Sequence, residues 1–157
     1  MNKRKAQERL VTRQIRIVFK AIQAHSKQVQ NICGLSGVRL WMLHEIGRSP
    51  AIKVSELANV LSIHRSTCSN MLDKLEDLEL IFRKRSKTDH RAVHLHITEK
   101  GREMLAKAPS PPEGKLSSSL NQLSVEQLRA LEESLGNLIE ALQFEDEQAA
   151  LTPIQTV

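Results

Sequence analysis

Aromatic residues are scarce in this chain: it has no tyrosine, one tryptophan and three phenylalanines in 157 residues. Any core must therefore be built mainly from aliphatic side chains. Two cysteines, Cys33 and Cys68, are too few for a disulfide framework, which points to a reducing, cytoplasmic setting. No stretch approaches the ~18 consecutive apolar residues of a membrane span. The opening Met-Asn-Lys-Arg-Lys-Ala-Gln-Glu lacks the apolar segment of a secretory signal. Catalytic signatures are missing too. There is no nucleophile with a paired base and no glycine-rich phosphate loop, so no enzyme and no cofactor is expected. Six histidines raise the question of zinc, but no Cys-x-x-Cys or His-x3-His spacing supplies the ligands. His90, His94 and His96 read as solvated positions, and no metal site is expected.

What is present is positive charge, unevenly spread. The net charge is +5 and the isoelectric point about 9.5, which suits a polyanionic partner. Residues 1–20 hold seven Lys/Arg against Glu8 alone. The stretch Arg83-Lys84-Arg85-Ser86-Lys87-Thr88-Asp89-His90-Arg91 holds five against Asp89. Residues 124–148 reverse the sign, with seven acids against Arg129. A chain that docks on DNA by one face has this layout.

Periodicity supplies the elements. Residues 8–30 carry Leu10, Ile15, Ile17, Val18, Ala21, Ile22 and Val29 on roughly one side, which predicts a helix. A second, strongly apolar helix surrounds Trp41 over residues 38–46, bounded by Gly34, Gly37, Gly47 and Pro50. A short helix follows over 54–61, with Ser55 as its expected N-cap. The turn Ser62-Ile63-His64 leads to a helix over 65–78. Its inner stripe is Cys68, Met71, Leu72, Leu75 and Leu78, and its outer face is polar. Leu80-Ile81-Phe82 opens a strand, and Val93, Leu95 and Ile97 alternate with His94 and His96 as a half-buried strand does. Thr98 opens a further helix. Three prolines and a glycine at 109–114 interrupt it. Ser124-Val125-Glu126-Gln127 is a capping box. Behind it Leu128, Leu131, Leu135, Leu138 and Leu142 form a seam suited to helix pairing.

Helix, turn, helix and cationic hairpin, in that order, are the layout of a winged helix-turn-helix. Its second helix fits a major groove, and its basic loop reaches the minor groove or the phosphates. The expected fold is mainly α with a small antiparallel β wing and a helical dimerisation layer. The expected organisation is a dimerisation helix at 1–34, the winged domain at 35–101, further dimerisation helices at 102–148 and a flexible tail at 149–157.

With those residues in view, the chain resembles the MarR family of bacterial transcription regulators from about residue 8 to 144. The carriers are Val54-Ser55-Glu56-Leu57-Ala58, the helix from Ser66 to Glu76, the wing Asp89-His90-Arg91, and Leu95-His96-Ile97-Thr98-Glu99-Lys100-Gly101. The resemblance implies a homodimer with interleaved terminal helices that binds a pseudo-palindromic operator, usually represses, and often lets go of DNA when a small aromatic compound binds. One departure is Glu79, where the family usually has glycine to take a left-handed helix end.

The expected DNA contacts are Arg65, Ser66, Ser69, Asn70 and Lys74 from the second helix, with Arg83, Arg85 and Lys87 on the phosphates. Arg91 resembles the wing arginine that enters the minor groove, and Asp89 is expected to hold its rotamer. An effector pocket is expected from His25, Trp41, Met42, His44 and Arg48. Two alternatives remain open. One is a redox switch through Cys33, if that thiol is accessible and acidic. The other is a winged helix that binds protein instead of DNA, although such a wing has no need for five cations. Cys68, spaced with the inner stripe of its helix, is expected to be buried and inert.

Overall fold

The computed structural model describes residues 2–154. Helix α1 (Lys3–Cys33) runs 31 residues, longer at both ends than its apolar pattern predicts. The Asn2 carboxamide accepts from the Arg4 N–H at 3.1 Å to start it. Gly34, at φ 67°, ends it in the left-handed conformation that glycine adopts without strain. Only the last third is covered, through His25, Val29 and Cys33. Helix α2 (Gly37–Arg48) is capped by the Ser36 hydroxyl and buries Leu40, Met42, Leu43 and Ile46. Its Glu45 is buried too, and accepts from the Trp41 indole N–H at 3.3 Å.

Strand β1 (Ile52–Lys53) leads directly into α3 (Val54–Leu61). Ser55 is not the cap of α3 but lies inside its first turn. The N-cap is Lys53, whose N–H donates to the Glu56 carboxylate at 3.0 Å. Ser62 turns the chain at φ 55°, and α4 (Arg65–Asp77) follows with Cys68, Met71, Leu72 and Leu75 inward. Strands β2 (Ile81–Arg85) and β3 (Val93–Ile97) form the wing, and β1 adds a third strand on the far side of β3, giving the order β1-β3-β2. That third strand has no signal in the sequence, because two residues are too few to show an alternation.

Glu79 does take the left-handed conformation, at φ 59°. Thr98 holds the junction by donating its hydroxyl to the Glu79 carbonyl at 2.7 Å, and its N–H to the Leu80 carbonyl at 3.0 Å. Thr98 also caps α5 (Glu99–Lys107), accepting from the Gly101 N–H at 3.0 Å. A Cβ on Gly101 would lie 2.2 Å from the Leu80 carbonyl oxygen, so only glycine lets α5 pack this close to the start of β2.

The core runs from Val29 to Ile97 and, among the described residues, contains no fully buried aromatic ring. Leu, Ile, Val, Met, Ala and Cys side chains from α1 to β3 fill it, each large one stabilising by ~1.5–3 kcal/mol. Past the 109–114 break, α6 (Lys115–Leu120) packs on α1. Helix α7 (Val125–Leu142) starts with the expected capping box: Ser124 Oγ accepts from Gln127 N, and Gln127 Oε1 from Ser124 N. No residue of α7 is buried. Residues 149–154, expected as the start of a flexible tail, fold back onto the winged domain through a 3-10 turn (Ala149–Leu151). Residues 155–157 of that tail lie outside the described residues. Among the described residues no helix is long and apolar enough to cross a membrane.

Candidate nucleic-acid interface

The polar face of α4 divides into two ridges, because side chains three or four apart stack along a helix. Ser66, Asn70 and Lys74 form one, exposed along its length, with Arg65 exposed at its start. Ser69, Asp73 and Glu76 form the other, which faces the wing. The Arg83 guanidinium from β2 donates to the Ser69 carbonyl at 2.9 Å, and pairs with Asp73 at 2.9 Å and Glu76 at 3.5 Å. Its side chain is only 23% exposed. The expectation that Arg83 sits on a phosphate is therefore corrected. Arg83 is committed inside the domain, tying wing to helix and neutralising two carboxylates that would otherwise face a polyanion. Nothing in the sequence separates it from the neighbouring cations, since the partners lie on another element.

The wing loop is held by its own short polar side chains. Ser86 Oγ accepts from the N–H groups of Thr88 and Asp89, both at 3.3 Å. Ser86 N–H donates to the Ala92 carbonyl, and Ala92 N–H to the Asp89 carbonyl, each at 3.0 Å. Asp89 Oδ1 accepts from the backbone N–H of Arg91 at 3.0 Å. The expected Asp89–Arg91 side-chain pair is therefore replaced by a turn bond. Asp89 sets where the Arg91 backbone lies, and the guanidinium makes no ion pair among the described residues. A local Asx-type bond of this kind is what aspartate favours in a turn.

Between the wing base and the start of α4 lies a cleft of about 190 Å³. Arg65 and Arg91 both border it, joined by Arg83, Ser69, Lys53 and Ser55. Two residues predicted from distant parts of the chain are thus brought to one concavity. Lys53 and Ser55 carry no such signal in the sequence, because the β1–α3 junction that holds them reads only as a helix start. Arg85 and Lys87 are exposed and border a different depression, with Lys84, His94 and His96, on the other side of the wing. There Phe82 stacks on His96 with ring centroids 5.0 Å apart, and His94 Nδ1 lies 2.8 Å from the Ala51 carbonyl. No group of three or more His, Cys, Asp or Glu gathers for a metal among the described residues.

A second crevice, of about 240 Å³, lies between α1, α2, the α3–α4 turn, the start of α6 and the C-terminal segment. Of the five residues expected in an effector pocket, it contains His25 and Trp41. Met42 is fully buried in the core, behind the α2 face that carries Trp41. His44 and Arg48 do not border the crevice, and Arg48 lies 3.7 Å from Glu45 at the solvent end of α2. Spacing along α2 cannot show which side its neighbours leave open. His25 is 5% exposed, and neither ring nitrogen has a hydrogen-bond partner among the described residues. Burial lowers its pKa below the ordinary 6.5, and the Lys115 ammonium lowers it further.

Both thiols are buried and free. Burial pushes the Cys33 pKa up, which the nearby Lys107 only partly offsets. The accessible, acidic thiol that a Cys33 redox switch requires is not there, so that expectation is corrected. Cys68 lies in the core as expected, its pKa raised to about 11 by burial.

The sequence model of the MarR family matches residues 34–92, from the end of α1 to the tip of the wing. The repressor MdtR of Bacillus subtilis is 28% identical over 87 residues, which are 55% of this chain and 56% of that protein. The regulator MgrA of Staphylococcus aureus is 31% identical over 90 residues, 57% of this chain and 60% of its own. The chain thus spans little more than half the length of these curated relatives. Over the whole fold, a MarR family transcriptional regulator from Streptomyces coelicolor, solved in complex with DNA, superimposes with a TM-score of 0.61 at 25% identity, covering 91% of this chain and 96% of that one. Over helices α2 to α4 and the first half of the wing this chain is therefore similar to the MarR family, and its architecture matches that of the Streptomyces coelicolor regulator almost end to end.

Proposed function

We propose that the chain is a sequence-specific double-stranded DNA-binding transcriptional regulator, probing the major groove with α4 and the adjacent minor groove with Arg91. The observation that carries this reading is the shared cleft of Arg65 and Arg91, beside an exposed ridge of Ser66, Asn70 and Lys74. Asparagine can pair with adenine bidentately, hydroxyls donate to phosphate or base edges, and an arginine is drawn into a narrow minor groove by its concentrated negative potential. The DNA complex of the Streptomyces coelicolor relative supports the assignment. MdtR is a repressor, which supports repression as the mode of action here. The site of action is the cytoplasm.

The working unit is a homodimer. Leu128, Leu131, Leu135, Leu138 and Leu142 leave an apolar seam exposed on α7, and Leu10, Ile15, Val18 and Phe19 do the same on α1. The two helices are opposite in charge, α1 basic over residues 1–20 and α7 acidic through Glu126, Glu132, Glu133 and Glu140 against Arg129, so pairing them between copies covers the seam and cancels charge. The crevice at His25 and Trp41 is the place for a small aromatic effector that releases the DNA. Its volume, below the ~300 Å³ of a common ligand pocket, suits a single ring.

Recovering genomic DNA bound to the protein and sequencing it tests this directly. The expected result is an enriched site of two-fold symmetry, with half-site centres ~10 base pairs apart or a multiple of that. Recovered fragments without a shared sequence would overturn sequence-specific recognition.

A further inference from the structure

The chain following α7 does more than end. Asp146 Oδ1 accepts from the Gln148 N–H at 3.0 Å. The Leu151 N–H donates to the Gln148 carbonyl at 3.0 Å, and the Thr152 hydroxyl to the same carbonyl at 2.9 Å. This small folded unit delivers the Leu151 carbonyl to the backbone N–H of His64 at 3.1 Å. His64 is the N-cap of α4. A donor just ahead of the candidate recognition helix is thereby satisfied by the far end of the chain. Beside that bond, Ala150, Thr152, Pro153 and Ile154 form one wall of the crevice whose opposite walls carry His25 and Trp41. His25 lies there with both ring nitrogens unpartnered among the described residues.

We propose that residues 149–154 are a built-in strap: they close the crevice between the α1/α6 layer and the helix-turn-helix, and by holding the His64 amide they couple the end of α7 to the start of α4. A small molecule entering that crevice must share it with the strap or displace it. Displacement frees the N-cap of α4 without any change in the core. The effect on DNA binding rests on the function proposed above, whereas the docking of the strap does not.

Trp41 is the sole tryptophan and borders the crevice, so its quenching reports on how open that side of α2 is. Three chains are compared: the parent, a chain ending at Gln148, and full-length Ile154→Asp. The first readout is quenching of Trp41 by acrylamide, and the second is hydrogen exchange at the His64 amide. Both altered chains are expected to show greater Trp41 quenching than the parent. In the truncated chain the His64 amide is expected to exchange about tenfold faster or more, as a donor released to water does. Equal quenching in all three chains, or a His64 amide that exchanges at the same rate with and without the strap, overturns the proposal. Both readouts are taken without DNA. A parent chain that shows the strap but binds no DNA fragment would therefore count against the proposed function alone.

Discussion

At the scale of single residues, charge matters less by its sign than by what it is already bound to. Five cations crowd the wing, yet Arg83 serves the domain itself, bridging β2 to Ser69, Asp73 and Glu76 of α4. Arg83→Ala should lower stability by ~1 kcal/mol, a charge-assisted bond to a carbonyl plus two partly screened ion pairs, seen as a melting point a few degrees lower. It should also weaken DNA binding, because Asp73 and Glu76 then face the phosphates unneutralised. Thermal denaturation and a gel shift on the same variant check both effects. Sequence can find these cations but not sort them, since the sorting depends on residues 7 to 14 positions away that only the fold brings close. His25 makes a second residue-scale case. Its folded pKa lies below the 6.5 of an unperturbed imidazole, because burial and Lys115 disfavour the charged ring. The unfolded chain therefore takes up a proton first as pH falls. Stability contributed by His25 is complete above about pH 6.5, declines as pH drops toward the lowered folded value, and changes no further below it. Melting curves between neutral and mildly acidic pH should show this decline, and His25→Phe should reduce it.

Among the elements, the joint between α4 and the wing decides how the two halves of the interface sit. Glu79 occupies a left-handed position there, where a side chain costs ~1–2 kcal/mol that glycine avoids. Part of the gain is offset by the larger conformational entropy that glycine loses on folding. Glu79→Gly should therefore stabilise by ~0.5–1 kcal/mol, a melting point raised by a few degrees with the DNA affinity retained. An unchanged or lowered melting point would show the joint to be unstrained. This joint is legible in the sequence through its departure from the family pattern, and so are α2 to α4, both wing strands, the capping box of α7 and its leucine seam. What stays hidden has physical reasons. The two-residue β1 is shorter than any alternation that could reveal it. The cap of α3 comes from Glu56 reaching back to Lys53, so the serine next door misleads. The wall of the crevice formed by residues 150–154 depends on a hydrogen bond from His64 to Leu151, and local patterning carries no information about such a distant pair.

For the whole molecule, the aliphatic core takes in the last third of α1 but no residue of α7, and the apolar faces of the first half of α1 and of α7 remain uncovered. If these faces meet in a second copy, Leu135→Glu combined with Leu138→Glu should yield monomers by sedimentation while the far-ultraviolet circular dichroism stays near that of the parent. Neither residue belongs to the core, and exposed substitutions seldom alter stability by more than ~0.5 kcal/mol. Such monomers should bind DNA far more weakly, since each retains a single winged domain. In the proposed complex Arg65 and Arg91 grip duplex DNA from the two sides of one cleft. The affinity of the parent, Arg65→Ala and Arg91→Ala for a recovered operator fragment, taken across a range of salt concentrations, tests that grip. Each variant should bind more weakly, with a salt slope shallower by ~1 for each phosphate left unneutralised, and should melt within ~1–2 °C of the parent. Affinities and slopes identical to those of the parent, in chains that remain folded, would contradict it.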